Sequence, residues 1–170
     1  MPAKHPKQLA ESARKHLIDV AGPPVDPKSL TGPNRGIFTT TEKPAMSPSA
    51  LDYQSSLPGA VTDMATRKPI VPGIRYDNPN LRGKNYILFD GLDPYDSTTL
   101  VDRKLGIARS PKQKETFRRW AKALEQNPGI KIRIEVPSRR VQKEIDDVLD
   151  AIGFQRSIRD RILVVEVPIA

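Results

Sequence analysis

The sequence contains no cysteine among its 170 residues, which excludes disulfide bridges, thiolate zinc sites and cysteine nucleophiles. It has two histidines, His5 and His16, so a histidine metal cluster or a Ser-His-Asp triad is not expected in the rest of the chain. No apolar run approaches the roughly 20 residues that a membrane-spanning helix needs. Residues 1–20 carry scattered charges and lack the pattern of a classical signal peptide.

The positive charge of the chain is concentrated in one region. The net charge is +8, from 28 Lys and Arg against 20 Asp and Glu. Twelve of the cations lie between Arg103 and Arg140, where three Glu and no Asp occur. This concentration favours a polyanionic partner, either nucleic acid or an anionic membrane surface. Charge alone is equally compatible with a solvated surface, so the choice depends on the neighbouring residues.

Residues 86–104 have the pattern of a β-hairpin and read YILFDGLDPYDSTTLVDRK. Two apolar runs predict strands over 86–90 and 100–104, and the DPYD sequence at 93–96 predicts the turn between them. Each apolar run ends in an acidic residue, Asp90 in the first and Asp102 in the second. The hairpin therefore predicts a cluster of charged side chains at one edge of a sheet.

The acidic cluster has the composition of a metal-dependent nuclease site. Pairing of the two strands brings Asp90 close to Asp102 and Lys104. Because alternate residues of a strand face the same side, Asp102 and Lys104 share a face and Arg103 points to the other. Two carboxylates can hold Mg²⁺ or Mn²⁺, which activates water, and a lysine can stabilise the charge that develops on a phosphate.

The remaining patterns predict a mixed α/β domain preceded by an extension. We assign residues 1–46, which are rich in proline, to an N-terminal extension or linker, and residues 47–170 to one folded domain. Helices are predicted over 8–20, 48–56, 110–126 and 138–152, and strands over 70–75, 130–136 and 162–167. In the strand 130–136, apolar residues alternate with Lys131, Arg133 and Glu135. The predicted class is α/β (mixed α+β), with a mixed central sheet flanked by helices.

Several short sequences, FDGLD, LVDRK, QNPGIKIRIEVPS and LDAIGF, occur in this order. Together with the upstream Ala50–Gln54, they resemble the restriction-endonuclease-fold toxin domains of bacterial polymorphic toxin systems. The resemblance implies an αβββαβ core with a PD-(D/E)xK site, in which Asp90 and Asp102 ligate metal and Lys104 completes the catalytic set. It also implies a cognate immunity protein as partner. The proline of the PD-(D/E)xK pattern is replaced by Phe89 in this sequence.

Further residues are candidates for binding roles. Asp93 could be an accessory metal ligand, although an Asp in a DPxD segment more often accepts hydrogen bonds from turn amides. Asp96 is a weaker candidate for a metal ligand, and Gln54 could reach the site, although a solvated or capping role is favoured for it. The basic candidates for nucleic-acid contacts are Arg103, Lys112, Lys114, Arg118, Arg119, Arg139 and Arg140.

The sequence thus predicts a metal-dependent endonuclease toxin, with DNA favoured over RNA. The resemblance implies a bacterial effector that a specialised secretion system delivers and that acts in the cytoplasm of the target cell. Two alternatives stay open: a non-catalytic nucleic-acid-binding module with the same fold, and a structural or interaction protein. The oligomeric state and the sequence specificity are not predicted.

Overall fold

The computed structural model describes residues 15–30, 36–41, 61–62, 69–77, 85–106 and 111–169. Within these residues, helix α1 covers 15–21 and a short 3₁₀ turn follows at Pro27–Ser29. The strands are β1 (Ile37–Thr41), β2 (Val61–Thr62), β3 (Pro69–Arg75), β4 (Tyr86–Leu88), β5 (Gly91–Leu92), β6 (Thr99–Arg103), β7 (Lys131–Val136) and β8 (Ile162–Glu166). The other helices are α2 (Pro111–Gln126), α3 (Arg139–Ile152) and α4 (Arg156–Arg159).

The first sheet is antiparallel and is built around β3. Strand β1 pairs with β3 along one edge, while β2 and β4 pair with the two ends of its other edge. Gly73 of β3 is required by the close approach of its neighbours, since a Cβ there would meet Phe38 at 2.7 Å and the carbonyl oxygen of Ile87 at 2.8 Å. The absence of a side chain at Gly73 therefore allows β4 to pair closely with β3.

The second sheet has the order β5–β6–β7–β8. Strand β5 is antiparallel to β6, whereas β6, β7 and β8 are mutually parallel. Parallel neighbours need crossover connections, and here α2 connects β6 to β7 while α3 and α4 connect β7 to β8. The chain passes from the first sheet to the second between β4 and β5, at Phe89 and Asp90.

The hydrophobic core lies between the second sheet and helices α2 and α3. The two helices contribute buried apolar side chains at helical spacing, and the sheet contributes one face of each parallel strand. Helix α3 begins at Ser138, whose hydroxyl accepts a hydrogen bond from the N–H of Val141, and it ends at Gly153 with φ of 77°. The core residues of these elements are Leu100, Phe117, Trp120, Leu124, Ile132, Ile134, Val141, Ile145, Leu149, Ile162 and Val164.

The predicted mixed α/β class is confirmed, because helices and two sheets are present among the described residues. The restriction-endonuclease core remains a prediction, and its leading helix over 48–56, including Gln54, lies outside the described residues. The boundary predicted at residue 46 also lies outside them. Within the range 1–46, however, Leu17 belongs to the core and β1 pairs with β3. None of the described helices is long and apolar enough to cross a membrane.

Candidate active site at the carboxyl edge of the second sheet

The carboxyl ends of β6 and β7 form an edge that also receives the first turns of two helices. Because α2 leads from the end of β6 to the start of β7, its N-terminus lies at this edge, and the same holds for α3 after β7. Ligands of open α/β sheets bind preferentially outside the carboxyl ends of the strands. Neither helix has an acidic residue in its first turn, so the helix dipoles there are not neutralised by carboxylates.

Asp102 and Lys104 lie at this edge, on the face of the sheet that the helices cover. In the parallel register Asp102 is opposite Ile134, a core residue, so the two side chains share a face. The Nζ atom of Lys104 lies 3.1 Å from Oδ2 of Asp102, and their side chains are 19% and 14% exposed. Oδ2 is buried and forms this ion pair, but it has no hydrogen-bond partner within the described residues. A buried carboxylate oxygen of this kind is costly unless another group satisfies it.

Asp90 is brought to the same place by an irregularity in the hairpin. Its backbone N–H donates to the carbonyl of Val101, which also lies opposite Gly91, so two residues face one as in a β-bulge. Its side-chain Oδ2 accepts a hydrogen bond of 2.7 Å from the backbone N–H of Arg103. That nitrogen is bonded to the carbonyl carbon of Asp102. The carboxylate of Asp90 therefore lies beside the peptide group that joins Asp102 to Arg103.

The hydrogen bond of Asp90 has a structural consequence. Strand β5 begins at Gly91, so the N–H of Arg103 extends beyond the backbone pairing with β5. The side chain of Asp90 supplies the acceptor that a backbone carbonyl would provide in a longer strand. Asp90 thus both closes the end of the β5–β6 ladder and places a carboxylate at the peptide group between Asp102 and Arg103.

Asp93 is directed away from this pair. Its carboxylate forms an ion pair with Arg133 and accepts hydrogen bonds from the N–H groups of Tyr95 and Asp96. Arg133 is opposite Val101 in the register, on the face opposite to Asp102. Burial raises the pKa of Asp93, but the hydrogen bonds from Arg133 and the two backbone N–H groups outweigh it and lower the pKa overall. The structure therefore does not bring Asp93 together with Asp102.

Asp96 stabilises the turn between β5 and β6 through hydrogen bonds to Thr98 and Thr99. Its carboxylate accepts hydrogen bonds from the hydroxyl and backbone N–H of Thr98 and from the hydroxyl of Thr99. The Thr98 hydroxyl is the largest contributor to a pKa that is lowered to about 2. The turn also contacts the N-terminal region, because Nε2 of His16 lies 3.3 Å from the carbonyl oxygen of Asp93. Sequence reasoning had no signal for this contact between residues 77 positions apart.

The face opposite to Asp102 carries a buried ion network that the sequence did not reveal. Glu135 is 5% exposed. Its Oε1 accepts from Nε of Arg103 at 2.9 Å, and its Oε2 accepts from Nε of Arg133 at 3.0 Å. The side chain of Arg103 is 4% exposed, so it is not available to a phosphate in this arrangement. The alternation in β7 placed Arg133 and Glu135 on one face, but pairing with Arg103 depends on the register of β6 against β7.

The other basic candidates divide into exposed and structural side chains. Arg119 donates to the hydroxyl of Tyr76 at 2.7 Å and to the carbonyl of Tyr86, so it joins α2 to the first sheet. Arg139 is 92% exposed and lies 3.6 Å from Glu166. The remaining candidates are exposed and form no ion pair within the described residues: Lys112, Lys114, Arg118 and Arg140.

The donor set fits a hard divalent cation held by few protein ligands. The described residues contain no group of three or more His, Asp or Glu that could form a metal cage. Mg²⁺, however, usually keeps several waters and binds through one or two carboxylates. Asp102 offers a buried oxygen that lacks a hydrogen bond within the described residues, and Asp90 offers a second carboxylate, held at the same edge by the backbone N–H of Arg103. Asp93 is not part of this set.

Comparisons of the chain with protein-family models, with curated proteins and with solved structures find no match. The similarity to polymorphic toxin domains therefore rests on the short sequences and on the residues of the hairpin. Membership of that family remains a prediction, and the function has to be argued from the geometry of the site.

Proposed function

We propose that the chain is a metal-dependent nuclease that hydrolyses phosphodiester bonds at the carboxyl edge of the second sheet, with DNA favoured as the substrate. The observation that carries the proposal is the convergence of Asp90, Asp102 and Lys104 at that edge. An ammonium group lies 3.1 Å from a carboxylate whose buried oxygen accepts no hydrogen bond within the described residues. A purely structural ion pair would normally satisfy such an oxygen.

Each of the three residues has a distinct role in the proposal. Asp102 and Asp90 would hold Mg²⁺ or Mn²⁺, which supplies an activated water and stabilises charge on the phosphate. Lys104 places a fixed positive charge next to Asp102, where it can bind a phosphate oxygen and stabilise the additional negative charge of the transition state. The parallel pairing of β6 and β7 across α2 is compatible with the last part of the predicted αβββαβ arrangement, although β3 and β4 lie in a separate sheet from β6 among the described residues.

The exposed cations around the edge support a polyanionic substrate. Lys112 and Lys114 lie in the first turn of α2, and Arg139 and Arg140 lie in the first turn of α3. Both helix N-termini add partial positive charge at the same edge. Cations elsewhere are neutralised differently: Lys143 is paired with Asp147, and Arg159 is paired with Asp146 and Asp150. Exposed lysines without an ion pair within the described residues also occur away from this edge, at Lys122 and Lys131, so the support comes from the position of Lys112, Lys114 and Arg140 at the two helix N-termini.

The biological setting rests on the sequence resemblance alone. On that basis we propose a bacterial effector toxin with a cognate immunity protein, delivered by a specialised secretion system into the cytoplasm of a target cell. The contacts and charges of the site argue for the chemistry and do not depend on this setting.

The test is cleavage of plasmid DNA and of total tRNA by the purified full chain, with Mg²⁺, with Mn²⁺ and with EDTA. We expect metal-dependent cleavage that Asp102→Asn and Lys104→Met each reduce by at least about 100-fold, as for the loss of a group that stabilises transition-state charge. The matched control is Asp147→Asn, which removes an exposed carboxylate of α3 and should cleave like wild type. Intact substrates in every wild-type reaction would reject the nuclease, and retained binding would then favour the non-catalytic module.

A further inference from the structure

The ammonium group of Lys104 lies between a carboxylate and two aromatic rings. Its Nζ is 5.5 Å from the centre of the Trp120 ring and 6.0 Å from the centre of the Phe117 ring. On its other side it is 3.1 Å from Oδ2 of Asp102. Both ring distances are within the range of about 6 Å in which an aromatic face attracts a cation.

From this arrangement we infer that Trp120 is a positioning residue, whose ring face holds the Lys104 ammonium against Asp102. The inference rests on the proposed function for its catalytic consequence, but not for its geometry. Lysine has a flexible stem of four carbons with high rotamer entropy, and an unsupported lysine at a strand end would extend into solvent. An indole is the most favourable ring for a cation, so Trp120 limits Lys104 to the region beside the carboxylate.

The position of Trp120 is itself fixed by the core. The side chain is 3% exposed. Its ring lies 5.3 Å from that of Phe89 and 5.2 Å from that of Phe117, the latter in an edge-on arrangement. Because Phe89 directly precedes Asp90, the same indole supports the chain on the Asp90 side of the site and the amine on the other. A buried ring that cannot move is suited to positioning a mobile amine.

Intrinsic fluorescence provides a direct test, since Trp120 is the one tryptophan of the sequence. Lys104→Met removes the charge while retaining an unbranched apolar stem, and it should change the emission intensity or maximum of the folded protein. Lys122→Met is the matched control, because Lys122 is an exposed lysine on the same helix, and its spectrum should superimpose on that of wild type. A Lys104→Met spectrum that also superimposes on wild type would overturn the inference.

Kinetics distinguish positioning from simple core packing. Trp120→Phe keeps an aromatic face, whereas Trp120→Leu keeps an apolar side chain without one. We expect Trp120→Leu to lower kcat about tenfold with KM unchanged and Trp120→Phe to recover most of the activity, as follows from a cation–aromatic contribution of order 1 kcal/mol. Equal kcat values for two folded variants would contradict positioning through the ring face. If wild type cleaves nothing, the nuclease proposal fails, while the fluorescence comparison still tests the contact.

Discussion

The charged residues on the two faces of strand β6 differ in how completely their carboxylate partners are hydrogen-bonded. Arg103 points to one face, where Glu135 accepts from it and from Arg133, using both carboxylate oxygens. Asp102 and Lys104 point to the other face, where one carboxylate oxygen is buried without a hydrogen bond within the described residues. Arg103 therefore belongs to a closed network, in which both carboxylate oxygens of Glu135 accept hydrogen bonds. Its neighbours Asp102 and Lys104 form an open site, in which one carboxylate oxygen accepts none within the described residues.

The difference separates charges that hold the sheet together from charges that are suited to bind something else. Buried polar groups in proteins are normally satisfied, and exceptions require an explanation such as an absent ion or a catalytic role. In the closed network, Asp93 completes the coordination of Arg133. At the open site, the Lys104 ammonium lies near the Trp120 ring and forms an ion pair with Oδ2 of Asp102, which has no hydrogen bond within the described residues. The local rule of polar satisfaction is broken at Asp102, where the proposed chemistry takes place, and among the described residues it is also broken at Oδ1 of the buried Asn127.

The largest effect on stability is expected from the closed network. Glu135→Ala leaves two arginine side chains, Arg103 and Arg133, without the carboxylate that links them. Removing one partner of a buried ion pair typically costs about 3–5 kcal/mol, and we expect a loss of that order in the free energy of unfolding. Urea denaturation of the full chain, followed by circular dichroism, measures it.

A matched control is Glu125→Ala, which removes an exposed glutamate of α2 that forms no ion pair within the described residues. Its free energy of unfolding should stay within about 0.5 kcal/mol of wild type. If Glu135→Ala were as stable as Glu125→Ala, the two faces of β6 would not differ in the way the geometry indicates.

A smaller effect is expected from the open site. Asp102→Asn removes the charge that attracts Lys104 but also removes a buried oxygen that lacks a hydrogen bond, so the two contributions oppose each other. We expect a smaller loss in the free energy of unfolding than for Glu135→Ala, measured by the same urea denaturation. A loss as large as that of Glu135→Ala would show that Asp102 is mainly structural and would weaken the assignment of a catalytic role.

Much of the second sheet could be predicted from the sequence, because its signals are local. Alternation in β7, the Ser138 cap and Gly153 of α3, and the helical spacing in α2 each specify an element without reference to the rest of the chain. Strand β1 was missed, since its five residues IFTTT follow a segment rich in proline and glycine that resembles a linker. Its pairing with β3 is a long-range contact that no local pattern encodes.

The candidate site was predictable only in part, for a similar reason. The period of a strand places Asp102 and Lys104 on one face. The predicted pairing of 86–90 with 100–104 was wrong, because β4 pairs with β3 and β6 pairs with Gly91–Leu92, and Asp90 reaches this edge through the bulge beside that shorter hairpin. The ion pair between Asp93 and Arg133 depends on which strand lies beside β6 and in what register, so the sequence left Asp93 as a possible ligand. The contact between Lys104 and Trp120 likewise depends on how α2 lies across the sheet.

The smallest expected effect on stability concerns Asp96, which lies in the turn next to the Asp93–Arg133 ion pair of the closed network. The pKa of Asp96 is lowered from its ordinary value of 3.8 to about 2, chiefly by the hydroxyl of Thr98 and then by the backbone N–H of Thr98 and the hydroxyl of Thr99. The ionised carboxylate is therefore favoured in the folded state. Its contribution to stability is fully present above about pH 4 and is lost as the pH falls through about 2. Because the group is largely exposed, solvent limits this contribution to about 1 kcal/mol or less.

Asp96→Asn tests this contribution through the pH dependence of thermal unfolding between about pH 4 and about pH 2. The variant should be slightly less stable than wild type above pH 4, and the two melting temperatures should converge as the pH approaches 2. Glu125→Gln removes the same charge from an exposed residue of α2 that forms no ion pair within the described residues, and it corrects for the change in net charge. Since the turn positions Asp93 against Arg133, a constant difference between Asp96→Asn and wild type at all pH values would instead indicate that Asp96 acts through the shape of the turn, independently of its charge.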